Sequence, residues 1–234
     1  MANKIYTDNN SEYLKNNPTW HTEDSAWKAT QITKLLKRNE LNPKTIAEIG
    51  CGAGEILNQL HLSMPNDVNL TGFDISSDAI NIAKEREKER LTFKHEDFLY
   101  TSENFDLLLM MDVFEHVDDY LGFLKLCNNK AKNTVFHIPL DITVMGLLTN
   151  SIMHRRKTLS HLHYFTKDTA IATLNDSGFE IIDFFYTEWF FDFKERRKSI
   201  GSKILYLIRK GLYKINKDFA VKMFGGVSLI VLTK

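Results

Sequence analysis

Ile46-Ala47-Glu48-Ile49-Gly50-Cys51-Gly52-Ala53-Gly54 decides how this chain is read. An apolar run stops at three glycines set at alternate positions, and Ile56, Leu57 and Leu60 follow at helical spacing. Strand, tight turn, helix is the reading. Glycine lets the backbone turn sharply and lets a ligand approach the main chain without meeting a Cβ atom. A dinucleotide fingerprint needs a third glycine three positions after the second. Glu55 and Leu57 stand there in the two available registers, which argues against a nicotinamide-dependent oxidoreductase. Glu48 lies two residues before the first glycine. Its carboxylate repels a pyrophosphate in a partly desolvated cleft and suits a cationic ligand.

S-adenosylmethionine carries a sulfonium and an ammonium. The stretch resembles the first motif of the class I S-adenosylmethionine-dependent methyltransferases, an acidic residue and a hydrophobic one before G-x-G-x-G. Val68 to Phe73 reads as a second strand closed by Asp74, about 20 residues past the glycines, where an acid accepts hydrogen bonds from both ribose hydroxyls. A helix over Ser77 to Arg90 leads to a short strand ending in Asp97 and Phe98, and the resemblance implies that Asp97 binds the adenine amino group while Phe98 lines the base. Phe105 to Asp112 is a near-continuous apolar run, as in a central parallel strand. Val113-Phe114-Glu115-His116-Val117-Asp118-Asp119 resembles the fourth-strand signature of the small-molecule branch, which includes the ubiquinone-biosynthesis O-methyltransferases.

The resemblance implies a Rossmann-like α/β fold whose seven-stranded, mostly parallel sheet has the order 3-2-1-4-5-7-6 with strand 7 antiparallel. The cofactor set it implies is Lys28, Glu48, Gly50, Cys51, Gly52, Gly54, Asp74, Ile75, Asp97, Phe98, Met111 and Asp112. Plainer roles stand beside these. Asp74 and Asp97 also suit helix or turn caps, Asp112 a cap for the next helix, and Glu115 a first helical turn, where the macrodipole favours an anion.

Thirty basic and thirty acidic residues cancel, which argues against a dedicated nucleic-acid binder. With 43% hydrophobic content in 234 residues, one methyltransferase domain over 1–234 is expected rather than two. Cys51 and Cys127 make no disulfide framework and join no ligand-spaced cluster. No signal-peptide core and no spanning run is present, so a cytoplasmic protein is expected.

Around the cofactor core lie three segments expected to carry specificity. The first is residues 1–40, an aromatic arm (Tyr6, Tyr13, Trp20, Trp27 around Asn16-Asn17-Pro18) and a helix near 23–39. The arm suits a lid or ordinary packing on the sheet. Within it Lys28 resembles the basic side chain that reaches the methionine carboxylate in related methyltransferases.

The second is 140–164, after a fifth strand at Lys132 to Pro139 and before a helix at Thr166 to Ser177. It opens at the carboxyl end of a parallel strand, the side where ligands bind, and is the expected acceptor side. Arg155, Arg156 and Lys157 suit an anionic acceptor. His161-Leu162-His163-Tyr164-Phe165-Thr166 resembles a segment of the same branch. No third ligand with recognisable spacing accompanies the H-x-H pair, so no metal is expected. A hydroxyl acceptor needs a base, and His116, His161 and His163 are the candidates, with His137 reading as a core histidine.

The third is 190–224, between a sixth strand at Gly178 to Thr187 and a last one at Val227 to Thr233. At 100° per residue Ile200, Ile204, Leu205, Ile208, Leu212 and Ile215 share one side, with Lys203, Lys210, Lys214 and Lys217 beside them. The favoured reading has the apolar side covering the sheet or a homodimer interface. The other lays it on an anionic membrane. The charged run Lys84 to Arg90 reads as a solvated helix face. The resulting expectation is methyl transfer from S-adenosylmethionine to an oxygen of a small molecule (hydroxyl, carboxylate or phosphate). The alternative is a noncatalytic subunit that keeps the cofactor pocket.

Overall fold

The computed structural model describes residue 20, residues 22–188 and residues 200–234. Tyr6, Tyr13, Asn16-Asn17-Pro18 and Lys194 to Ser199 lie outside the described residues. The elements, in chain order, are α1 (Ser25–Arg38), β1 (Thr45–Ile49), α2 (Glu55–Ser63), β2 (Asn69–Asp74), α3 (Ser77–Lys84), β3 (Leu91–His95), β4 (Phe105–Met111), α4 (Tyr120–Cys127), β5 (Ala131–Pro139), α5 (Val144–Leu148), α6 (Ser151–Leu159), α7 (Lys167–Asp176), β6 (Ile181–Thr187), α8 (Ile200–Ile215), α9 (Lys217–Phe224) and β7 (Ser228–Thr233).

All seven strands form one sheet in the order β3-β2-β1-β4-β5-β7-β6. β1 to β5 pair parallel, while β7 runs antiparallel to both β5 and β6. This is the expected topology. The order in which strands are added reverses between the parallel neighbours β1 and β4, so the loops after those two strands diverge and leave a crevice at their carboxyl ends.

Side chains alternate across each strand, and the sheet therefore carries two cores. Ile46, Leu107, Leu109 and Val135 pack with Ile32, Leu35 and Leu36 of α1 and with Leu57 and Leu60 of α2. Ala47, Leu108, Met110, Phe136 and Leu229 pack on the other face with Leu124, Leu174, Ala220 and Val221. Glu48 follows Ile46 onto the α1 face, which brings a carboxyl group under the buried side of that helix.

Two expectations fail locally. The helix read over Ser77 to Arg90 ends at Lys84, and Lys84 to Arg90 is not a helix face. Beyond Lys84, Arg86 reaches Glu55 (Nε to Oε2, 2.6 Å), and Glu87 accepts from the Phe93 N–H at 2.9 Å. Lys88 bridges back to Leu91 and Arg90 adopts φ +68°. These contacts reverse the chain into β3, which a straight helix cannot do. The second concerns α8, whose isoleucine side does not cover the sheet. Its Ile204, Ile208 and Ile215 are exposed, and the arc that packs inward holds buried Tyr213 with half-buried Leu205 and Leu212. Tyr213 meets Tyr186 of β6 edge-on at 6.4 Å, and α9, unexpected from the sequence, fills the space beneath.

Candidate functional site

Gly50, Gly52 and Gly54 all take positive φ, +64°, +54° and +76°. Gly54 caps α2, and a Cβ there would stand 2.4 Å from the Phe93 ring. A Cβ at Gly50 would stand 3.0 Å from Val113, so the turns after β1 and β4 touch. Asp74 ties the glycine turn to the loop after β2: one carboxylate oxygen accepts from Gly52 N at 2.9 Å and the other from Ser76 N at 2.8 Å. Burial raises the Asp74 pKa, and those N–H groups oppose the rise.

Other expected cofactor residues are buried or half-buried. Cys51 and Met111 are buried in the core on the α1 face, and burial pushes the Cys51 thiol up, away from thiolate chemistry. The Phe98 ring turns inward against Phe73 (5.1 Å, edge-on) and Phe105, so it is core rather than an exposed platform. Asp97 accepts from Leu99 N at 3.0 Å, a turn cap, with its side chain partly exposed. Ile75 is half-buried, and its carbonyl bonds His95.

Deeper in, Glu48 is 1% exposed and its Oε2 has no hydrogen-bond partner. Burial raises its pKa to about 8, opposed by Lys28 and reinforced by Asp74. A buried, orphaned carboxyl of this kind suits a cation. Lys28 itself is committed: its ammonium lies 2.8 Å from Asp112 and 3.2 Å from Asp24. Burial works against that charge, but the two carboxylates outweigh it and hold the pKa above its ordinary value. Asp112, at φ +58° where β4 ends, also bonds His137 Nδ1 at 2.6 Å, and His137 Nε2 meets Thr187 at 3.0 Å. His137 is thus a satisfied core histidine. Despite burial, His137 and Lys28 hold the Asp112 carboxyl well below its usual range.

The acceptor-side candidates separate. Glu115 and His116 form a short 3-10 turn after β4, and the carbonyl of Glu115 accepts from Leu162 N and His163 N. This staples the loop before α7 to the turn. His163 Nε2 bonds the Val117 carbonyl at 3.0 Å and its ring packs against Tyr120, a structural placement. His161 is buried, with Nδ1 2.7 Å from Asp141 Oδ2, and its ring meets that of His116 edge-on at 4.9 Å. Arg155 Nε holds the other Asp141 oxygen at 3.2 Å. Ligand atoms of Glu115, His116 and His161 lie within 4.8 Å of one another. Glu115 is fully buried with no side-chain hydrogen bond, and burial, then the charge of Asp112, raises its pKa far above normal. The fold thus splits the H-x-H pair: His161 meets Glu115 and His116, while His163 turns to Val117 and Tyr120. Asp141, two residues past β5, is the partner the sequence reading passed over.

A methyltransferase-domain family model matches residues 20–183. The ubiquinone biosynthesis O-methyltransferase of Actinobacillus pleuropneumoniae serotype 7 is 28% identical over 132 residues, 49% of this chain and 55% of that protein. The chain thus spans about half the length of the curated relatives it matches. Magnesium protoporphyrin IX methyltransferase from Synechocystis PCC 6803, solved with bound SAH, superposes at TM-score 0.59 with 14% identity, covering 98% of this chain and 90% of that one. The N-methyltransferase NodS of Bradyrhizobium japonicum gives 0.57 with 16% identity over 98% and 94%. No helix among the described residues is long and apolar enough to cross a membrane. The match over residues 20–183 and the sheet order agree: this chain belongs to the methyltransferase-domain family.

Proposed function

We propose that this chain binds S-adenosylmethionine at the carboxyl ends of β1 and β2 and directs methyl transfer to an oxygen of a small-molecule acceptor. When bound, the cofactor supplies a methyl already activated by positive sulfur. The orphaned Oε2 of Glu48 supports a cationic ligand there, Asp74 the ribose hydroxyls, and Asp97 the adenine amino group. Oxygen as the acceptor atom draws support from the curated relatives, which are O-methyltransferases.

The observation that carries the acceptor side is the convergence of Glu115, His116 and His161 beside the β4 end of the same crevice. Asp141 fixes His161 through Nδ1, which leaves Nε2 toward the acceptor and stabilises the imidazolium that forms. As the oxygen–carbon bond forms and the carbon–sulfur bond breaks, His161 Nε2 takes the hydroxyl proton. Alignment and exclusion of water supply much of the remaining acceleration. A second reading uses the same atoms: an acid and two imidazoles suit a divalent cation that would orient the acceptor oxygen.

A homocysteine-release screen of phenolic, carboxylic and phosphorylated acceptors tests this. With the best acceptor, His161→Ala and Asp141→Asn should each lower turnover by about 10²–10⁴-fold while S-adenosylhomocysteine affinity holds. Full turnover in both variants overturns the base. Loss of turnover with a chelator, restored by added metal, assigns the cluster to the second reading.

A further inference from the structure

We propose that the outer face of α8 docks this protein on an anionic lipid bilayer, independently of the methyl-transfer reading. On the helical wheel Leu207, Ile204, Ile215 and Ile208 span an arc of about 100°. All four are open to solvent, at 66%, 54%, 83% and 47% exposure. Lys210, Lys203 and Lys214 occupy the strip directly beside them, also exposed. The helix is not loosely placed with an arbitrary face outward. Its opposite arc is fixed by buried Tyr213, half-buried Leu205 and Leu212, and the packing of α9 beneath it.

Charge selects the occupant. α8 contains no acidic residue. Among the described residues Lys203, Lys210 and Lys214 have no carboxylate partner, whereas on α9 Lys217 pairs with Glu188 and Lys222 with Asp168. These three ammonium groups thus line one long edge of an aliphatic arc, Lys210 lying over the Tyr206 ring at 5.6 Å. A protein partner is usually gripped by Trp, Tyr and Arg anchors, and this arc presents only Ile and Leu. A bilayer needs no shaped pocket: the aliphatic side chains sink to the acyl boundary while the lysines reach the headgroups. Its sixteen described residues are too few to span, which suits a helix lying in the surface plane.

Flotation of the full chain with phosphatidylcholine vesicles, with and without phosphatidylglycerol, tests the proposal. The parent should float only with phosphatidylglycerol and be released by high salt. Each lysine near an anionic surface contributes roughly fivefold, so Lys203→Glu, Lys210→Glu and Lys214→Glu combined should weaken binding by at least about 100-fold. Leu207→Ser with Ile208→Ser should also abolish flotation. All these positions are exposed, so circular dichroism and melting should match the parent. Equal flotation by either variant, or none by the parent, overturns the proposal. So does a concentration-dependent dimer that Leu207→Ser with Ile208→Ser dissociates, because the face then belongs to a second copy.

Discussion

Glu48 and Asp74 belong to adjacent strands and carry opposite hydrogen-bond loads. Asp74 accepts two main-chain N–H groups, while one oxygen of Glu48 accepts none. Asp74 therefore builds the turn as well as serving a ligand. Asp74→Asn keeps its shape but loses its charge, and should cost about 1.5–3 kcal/mol in S-adenosylhomocysteine affinity. Unchanged affinity by calorimetry would make Asp74 a loop tie only. Glu48 supports a different measurement. With its pKa raised to about 8, the free protein holds that proton at neutral pH. An arriving ammonium favours the carboxylate, so binding near pH 7 should release up to one proton. Calorimetry in two buffers of different ionisation enthalpy reads that proton directly, and Glu48→Gln should remove it.

At the scale of elements, the strand–turn–helix after β1 answers to one atom's space. Gly54→Ala puts a methyl into the Phe93 ring at φ +76° and should cost roughly 2–4 kcal/mol by urea denaturation. Gly211→Ala on α8, with nothing within 4 Å, should instead gain about 0.5–1 kcal/mol. Equal effects would mean that the turn tolerates side chains and the glycines are not required. The turn and the strands were legible because apolar runs and glycines act locally. The end of α3 was not: Lys84 to Arg90 fits a helical charge pattern, and only its partners Glu55, Phe93 and Leu91 stop the helix. The orientation of α8 was hidden for a similar reason, since only β6 and α9 make Tyr213 the side chain that turns inward. The acceptor cluster failed at longer range. His161 paired in sequence with His163, but the fold pairs it with His116, Glu115 and Asp141.

Across the whole molecule, buried carboxyls of opposite habit share one crevice, and they set how stability responds to pH. Asp112 is held low by His137 and Lys28, so its contribution is present above its unfolded value of about 3.9 and fades only in stronger acid. Between about pH 5 and 8 it is a constant. Glu48 runs the other way. Unfolded, it loses its proton near pH 4.3, while folded it keeps the proton to about 8. The unfolded state therefore binds fewer protons throughout that window, and stability falls as pH rises. At about 1.4 kcal/mol per unit, the loss is on the order of 4 kcal/mol. Glu115, raised in the same direction, adds to it. The unliganded protein should thus melt at a lower temperature at about pH 8 than at about pH 5.5. S-adenosylhomocysteine, whose ammonium favours the Glu48 carboxylate, should recover most at the alkaline end. Glu48→Gln should flatten the profile, leaving the share that belongs to Glu115. A parent whose melting temperature is level across the window would show that Glu48 is ionised without its ligand, and that the crevice is hydrated rather than dry.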